Sequence, residues 1–280
     1  MKFSLGFSPC PNDTFIFYAL LHGKVKVKDF EFDPVIEDVE QLNQRAFQSE
    51  LEITKISFNA FLDLTEDYIL LESGAALGRN CGPLLISNRT LAISELAGKT
   101  IAIPGEKTTA NFLLDFYLPE GTTIKKKICL FSDIEKVLLN GEADAGVIIH
   151  ENRFTYADKG LKLVQDLGEY WEETTGNPIP LGGIIARRNL GLAQLSMISK
   201  AIQTSIQYAW ANPDETLRYV RQYAQEMEES VMKQHIDLYV NDFSLSLGLT
   251  GRKAVTNFFT AAIHQHRIEM MPASPIFLPR

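Results

Sequence analysis

The sequence is poor in cysteine, carries no long apolar run and has no excess of positive charge. Cys10, Cys81 and Cys129 are odd in number and widely spaced. That argues against a disulfide framework, and with no C-x-x-C pair it argues against a zinc site. No stretch approaches the length of a membrane span. Met1 to Phe7 holds one lysine and too short an apolar run for a secretory signal. Cys10, flanked by Pro9 and Pro11, lacks the preceding apolar segment of a lipid-anchored cysteine. A cytoplasmic location without a membrane partner is therefore expected.

The formal net charge is −8 over 280 residues. Such a chain repels polyphosphate backbones, so no nucleic-acid partner is expected. The densest basic run, Lys125-Lys126-Lys127, directly precedes the apolar Ile128-Cys129-Leu130-Phe131 and reads as a solvated strand entrance. An anionic ligand would have to be captured by local groups rather than by the overall field. The nucleophile elbow, the Rossmann glycine fingerprint and the Walker A loop are missing. His264 and His266 lie too close together, with no third ligand nearby, to suggest a metal site. Neither a metal nor a nucleotide cofactor is expected. The chemistry left to such a chain is acid–base and electrostatic.

What is there is an ordinary globular composition, 45% hydrophobic and 22% charged. Short apolar runs alternate with amphipathic stretches, the pattern of α/β architecture. Strands are expected at 2–7, 30–36, 51–56, 68–72 and 83–87. Helices are expected at 15–21 (with Asn12 or Asp13 as N-cap), 38–47 and 58–64. A second series follows residue 99: a strand at 100–103, a helix at 109–117 and a strand at 127–131. Ser132-Asp133-Ile134-Glu135 then opens a helix as a capping-box pattern. Residues 143–149 form a buried strand ending at His150, and 161–166 and 182–186 complete the set. After Leu190 the chain turns helical, with Leu195, Ile198, Ile202, Ile206 and Ala209 at helical spacing and a break at Asn212-Pro213. Two α/β lobes explain this order, with crossings at 87–96 and 186–192 and a ligand cleft between them. A single doubly wound sheet fits the alternation almost as well.

Five strings are candidates for chemistry. In Ser8-Pro9-Cys10-Pro11-Asn12-Asp13-Thr14-Phe15 a strand end meets a rigid, polar helix start, although a capped turn has the same composition. In Thr54-Lys55-Ile56-Ser57-Phe58-Asn59 a lysine sits between strand residues, with hydroxyl and amide groups just beyond. A strand-end lysine reaching solvent is the plain alternative. In Leu77-Gly78-Arg79-Asn80-Cys81-Gly82-Pro83 two glycines and a proline make a tight backbone feature around Arg79. That guanidinium suits a ligand carboxylate or a structural acid equally well. Pro104-Gly105-Glu106-Lys107-Thr108-Thr109-Ala110-Asn111 turns a strand into a helix start rich in hydroxyls, a natural carboxylate cradle as well as an ordinary cap. In Ala145-Gly146-Val147-Ile148-Ile149-His150-Glu151 a strand delivers a histidine beside an acid. An isolated histidine is more often structural, but imidazole titrates where a general base is useful.

Taken together, these strings resemble the 1,4-dihydroxy-6-naphthoate synthase family of menaquinone biosynthesis by the futalosine route. Ser8 to Phe15, Gly146 to Glu151 and Asn177-Pro178-Ile179-Pro180-Leu181-Gly182 carry the resemblance most specifically. The last of these reads as a cleft-edge loop. The resemblance implies the two-lobed α/β fold of periplasmic binding proteins (type 2), with lobe 1 spanning 1–95 and 190–280 and lobe 2 spanning 96–189. It implies a carbon–carbon lyase that converts cyclic dehypoxanthine futalosine, a small carboxylated substrate, to 1,4-dihydroxy-6-naphthoate and dihydroxyacetone. His150 would be the general base. Lys55, Ile56 and Ser57 would line the substrate from lobe 1, and Thr109 and Ala110 from lobe 2. Asn12, Asp13, Asn59 and Arg79 are further candidate contacts. The rivals are the chorismate dehydratase of the same pathway and a non-catalytic carboxylate-binding protein.

Overall fold

The computed structural model describes residues 1–27, 29–224 and 228–279. In chain order the elements begin with β1 (Lys2–Phe7), α1 (Pro11–Leu21), β2 (Glu31–Ile36), α2 (Val39–Phe47), β3 (Ile53–Ser57) and α3 (Phe58–Phe61). There follow β4 (Tyr68–Leu70), β5 (Ala76–Gly78), β6 (Leu84–Ser87), β7 (Thr100–Ile103), α4 (Thr109–Tyr117), β8 (Lys125–Ile128) and α5 (Ile134–Leu139). Next come β9 (Ala145–Ile148), α6 (Asn152–Thr155), β10 (Lys162–Asp166), α7 (Leu167–Thr175) and β11 (Ile179–Arg187). The chain closes with α8 (Leu192–Ala211), α9 (Pro213–Val220), α10 (Glu229–Tyr239), α11 (Asp242–Leu245) and α12 (Gly248–His264).

Two compact units result, one of residues 1–78 with 180–280 and one of residues 79–179. These limits fall earlier than the expected 95/96 and 189/190, and strand pairing gives the reason. β6 pairs with β9 and β10, so it belongs to the second sheet, whereas β11 pairs with β3 and β4 of the first.

The first unit carries a mixed sheet in the order β2-β1-β3-β11-β4, with β5 against β11. β1 runs parallel to β2 and β3, while β11 is antiparallel to β3 and β4. β2 is an edge strand, and an edge is where its Pro34 does least damage to a ladder. α1 is apolar all round from Phe15 to Leu20, so it must be covered on every side. It lies buried against α8, α9 and α10, and Ser205 Oγ donates to the Ile16 carbonyl at 2.6 Å. The core gathers Phe3, Leu5, Phe7, Phe17, Ile184 and Ile202 around that helix.

The second unit carries the order β10-β6-β9-β7-β8. Parallel pairs join β7 to β8 and β9, and antiparallel pairs join β6 to β9 and β10. Its core packs Ile86, Ala102, Ile134, Leu138 and Ile148 together.

Several local expectations are corrected. The helix expected at 15–21 starts at Pro11, with Cys10 as the N-cap residue, so Asn12 and Asp13 lie inside its first turn. A proline at the first helical position has no amide to waste, which moves the start upstream. The strand expected at 127–131 is Lys125–Ile128, and the lysine run forms an exposed edge strand. Its charges are paired outward, Lys126 with Asp115 and Lys127 with Glu142, and they guard an edge against stray pairing. A 3-10 turn at Phe131–Asp133 displaces the expected capping box, and α5 begins at Ile134 without a side-chain cap. Ile179 to Gly182, expected as a loop, is the first half of β11.

Candidate functional site

In the first unit the polar groups converge on β3. Lys55 is buried in mid-strand, 4% exposed, and a cation so placed needs compensation. Its Nζ lies 3.0 Å from Asp13 Oδ1 in an ion pair and donates to the Gly74 carbonyl at 3.0 Å. The lysine therefore does not reach solvent. Glycine at 182 gives its stem room: a Cβ there would fall 2.6 Å from the Ile56 carbonyl oxygen and 3.5 Å from Lys55 Cε. Ile56 is fully buried, in register with Gly183 of β11.

Ser57 ends the strand and is tied to α2. Its amide donates to Asn43 Oδ1 at 3.0 Å, and Asn43 Nδ2 donates to Ser57 Oγ at 3.3 Å. Asn59 Oδ1 accepts from Arg267 Nε at 3.1 Å, and the same guanidinium clasps Asp63 at 2.5 and 3.0 Å.

The start of α1 supports this strand. Asp13 Oδ2 accepts from the Ser8 amide at 3.1 Å and from Ser8 Oγ at 2.7 Å, while Oδ1 accepts from Asn12 Nδ2 at 2.9 Å. Asn12 Oδ1 in turn faces His235 Nε2 of α10 at 2.9 Å. Lys55, Asp13, Asn12 and His235 thus form one buried polar chain. Sequence reasoning did not single out His235, Asn43 or Arg267. A signal for His235 existed: Met232, Ile236 and Tyr239 are buried beside it at helical spacing, so the histidine lies on the inner face of α10.

In the second unit Arg79 has met a structural acid. Its Nη1 donates to Glu172 Oε2 at 3.0 Å and its Nη2 to the Gly176 carbonyl at 3.1 Å, and the Asn80 amide donates to Glu172 Oε1 at 2.7 Å. The tight backbone feature expected there is Gly82 pressed against Gly168, where a Cβ on either would strike the other's backbone. Beside it, burial pushes the Cys81 thiol up to about 12.

α4 begins as a capped helix. Thr108 Oγ1 accepts from the Asn111 amide at 3.2 Å and donates to the Gly105 carbonyl at 2.8 Å. Thr109 and Ala110 are the first two helical residues, each 3% exposed. The leading amides of a helix have no intrahelical acceptor and carry the positive end of its dipole. Asn111 Nδ2 donates to the Glu106 carbonyl at 2.8 Å, which fixes the amide's orientation. Its buried Oδ1 has no hydrogen-bond partner among the described residues. The first turn therefore pairs an anion-favouring backbone with a buried acceptor suited to a hydroxyl.

His150 lies two residues past the end of β9 and adopts a left-handed backbone, φ 59°. Such a conformation is uncommon for a residue with a Cβ and concentrates at functional positions. The imidazole is half-buried and meets the Phe131 ring edge-to-face at 4.8 Å. Two residues on, Asn152 Nδ2 donates to Glu135 Oε2 at 2.7 Å, and Lys159 Nζ reaches the same oxygen at 2.7 Å. These contacts anchor the segment that carries the histidine.

A family model described as menaquinone biosynthesis matches residues 3–264. The chain belongs to that family. Two curated relatives bear the name 1,4-dihydroxy-6-naphthoate synthase. The one from Thermus thermophilus is 46% identical over 258 residues, 92% of this chain and 93% of its own. The one from Streptomyces coelicolor is 39% identical over 278 residues, 98% of each chain. Among solved structures, a protein from Archaeoglobus fulgidus superposes with a TM-score of 0.90 at 36% identity, over 95% of this chain and 98% of its own. The alkanesulfonate-binding protein of Xanthomonas axonopodis pv. citri superposes with a TM-score of 0.70 at 14% identity, over 100% of this chain and 94% of its own. That likeness concerns fold, and it makes this menaquinone-biosynthesis chain an α/β protein of the periplasmic-binding-protein type. Among the described residues, no helix is long and apolar enough to cross a membrane.

Proposed function

We propose that the protein is a carbon–carbon lyase that converts cyclic dehypoxanthine futalosine to 1,4-dihydroxy-6-naphthoate and dihydroxyacetone, with His150 as general base, and that it works in the cytoplasm. The observation that carries this reading is agreement, along nearly the whole chain, with two relatives named as that synthase. The geometry supports it. Imidazole is the side chain that accepts a proton near neutral pH, and a left-handed residue fixed by Phe131 and the Glu135–Asn152 contact is held in one orientation. The α4 start, with Thr109 and Ala110, suits the substrate's carboxylate, and Asn111 Oδ1 suits one of its hydroxyls. In the first unit, the Lys55 ammonium, Ile56 and Ser57 are assigned as substrate contacts.

Arg79 and Asn59 are assigned lesser parts, because Glu172 and Arg267 already engage them. The test is incubation of the purified protein with cyclic dehypoxanthine futalosine, following the product by chromatography without added metal or nucleotide. Naphthoate formation that His150→Ala abolishes, with substrate still bound, is the expected result. Chorismate dehydrated instead would move the assignment to the sister enzyme of the pathway. Inertness toward both would favour a binding protein.

A further inference from the structure

We infer that His235, Asn12 and Asp13 do not touch substrate but form a positioning relay that aims the Lys55 ammonium. The inference rests on the proposed function for its kinetic arm only. All four residues are buried, with His235 and Asp13 at 0% and 1% exposure.

The polarity of the relay follows from donor and acceptor chemistry. A carboxylate only accepts hydrogen bonds, so the end of the Asn12 amide that faces Asp13 Oδ1 must be its NH2 group. That turns Asn12 Oδ1, an acceptor, toward His235 Nε2 at 2.9 Å. The imidazole must then carry its hydrogen on Nε2. Direction is thereby fixed along the whole chain, from His235 through Asn12 to Asp13. With Oδ2 taking both Ser8 groups and Oδ1 taking Asn12, the carboxylate is saturated and immobile where it meets Lys55.

The other anchor of Lys55 is equally fixed. The Gly74 carbonyl sits at a left-handed turn, φ 90°, whose amide donates to the Ser244 carbonyl at 2.6 Å. An ammonium carries three hydrogens. The Gly74 carbonyl and Asp13 hold Nζ from two sides, and no other protein acceptor among the described residues engages it. The remaining N–H is thus directed rather than free to swing, which is what a binding group for a substrate oxygen requires. The same bookkeeping removes Asp13 as a direct contact, because both its oxygens are committed to Ser8, Asn12 and Lys55, while Asn12 is buried with its oxygen turned to His235 and its NH2 group to Asp13.

Three variants separate positioning from bulk stability. His235→Gln places an amide N–H close to the position of Nε2 and retains the donor. His235→Asn is polar but too short to reach Asn12, and His235→Leu removes the donor altogether. With cyclic dehypoxanthine futalosine, Asn and Leu are expected to raise KM on the order of 10–100-fold, the usual effect of removing the support of a binding group, with kcat within about threefold. Gln is expected to restore KM to within about threefold of the parent.

A substrate-independent arm uses 15N-labelled protein. The parent should show His235 protonated at Nε2, and the Lys55 Nζ resonance should shift in the Asn variant but not in the Gln variant. A parent that turns over nothing would remove the proposed reaction, and the nuclear resonance arm would still decide the relay. Nε2 found bare, or a Lys55 resonance indifferent to His235→Asn, would overturn the inference. So would Gln losing as much as Leu.

Discussion

Gly82→Ala should cost the protein about 3 kcal/mol, and the number follows from one backbone crossing. A Cβ on Gly82 would lie 2.2 Å from Gly168 Cα and 2.4 Å from Gly168 N. Both obstacles are backbone, so no rotamer change relieves them. Reaching an ordinary contact of 3.4 Å requires the two strands of chain to part by about 1 Å. They are braced against that movement. Leu167 N donates to the Pro83 carbonyl at 3.0 Å, Asp166 Oδ1 accepts from Gly168 N at 2.8 Å, and Arg153 ties the Gly82 carbonyl to Asp166. Overpacking costs about 1–3 kcal/mol, and each neighbouring hydrogen bond stretched adds roughly 1 kcal/mol. Gly82 has a negative φ, so its substitution tests the contact and not the backbone conformation.

Scanning calorimetry reads the result in two ways. If all 280 residues melt together, roughly 3 kcal/mol lowers Tm by about 6–12 °C. If residues 79–179 melt on their own, the shorter unit loses about 12–24 °C and the second transition stays put. Gly168→Ala should behave alike, and the double variant should cost less than the two singles summed, since both relieve one crossing. A Gly82→Ala protein melting within about 2 °C of the parent would refute the reasoning.

Two further outcomes follow from other sites. Cys81 is 1% exposed with its thiol pushed up to about 12, and Cys10 is also buried. A thiol-specific reagent should therefore label half-buried Cys129 first in the native protein, and prompt labelling of Cys81 by mass spectrometry would contradict its burial. Glu215 is held by Lys24 at 2.6 Å, Tyr18 OH at 2.8 Å and Tyr208 OH at 2.9 Å, which pull its carboxyl from 4.5 to about 2. Its folded value lies below its unfolded one, so its stabilisation is complete above about pH 4.5 and fades as pH falls toward 2. Glu215→Gln should flatten the dependence of Tm on pH across that window, and parallel curves for the two proteins would count against it.

Much of this architecture is local and was legible. The helix at Thr109–Tyr117 has its expected bounds because Pro104-Gly105 breaks the strand and Thr108 supplies the cap. The α/β alternation, the break at Asn212-Pro213 and the placing of Lys55 within a strand and of His150 just past one are likewise properties of short stretches of sequence. What escaped was set by distant partners. The unit boundary depends on β6 choosing β9 and β10, and nothing in Leu84 to Ser87 announces that choice. β5 is three residues long and exists because β11 lies beside it. Asn12 and Asp13 read as caps or contacts because the residues that occupy them, His235 and Lys55, lie far away along the chain. Arg79 was balanced between ligand and structural acid, and Glu172 supplies the acid.

The pairing of β11 also sets an order of assembly. β4 and β5 hydrogen-bond to β11 and not to β1, β2 or β3, so the first sheet lacks its centre until residue 187 has been made. Residues 79–179, by contrast, hold every strand of their own sheet. On a ribosome the interior segment has all its partners early, while the amino-terminal strands wait with α1, apolar on every side, for helices encoded after residue 190. Synthesis thus finishes the inserted unit before the one that hosts it, and a chain stopped at residue 179 would carry one finished sheet and one without its keystone.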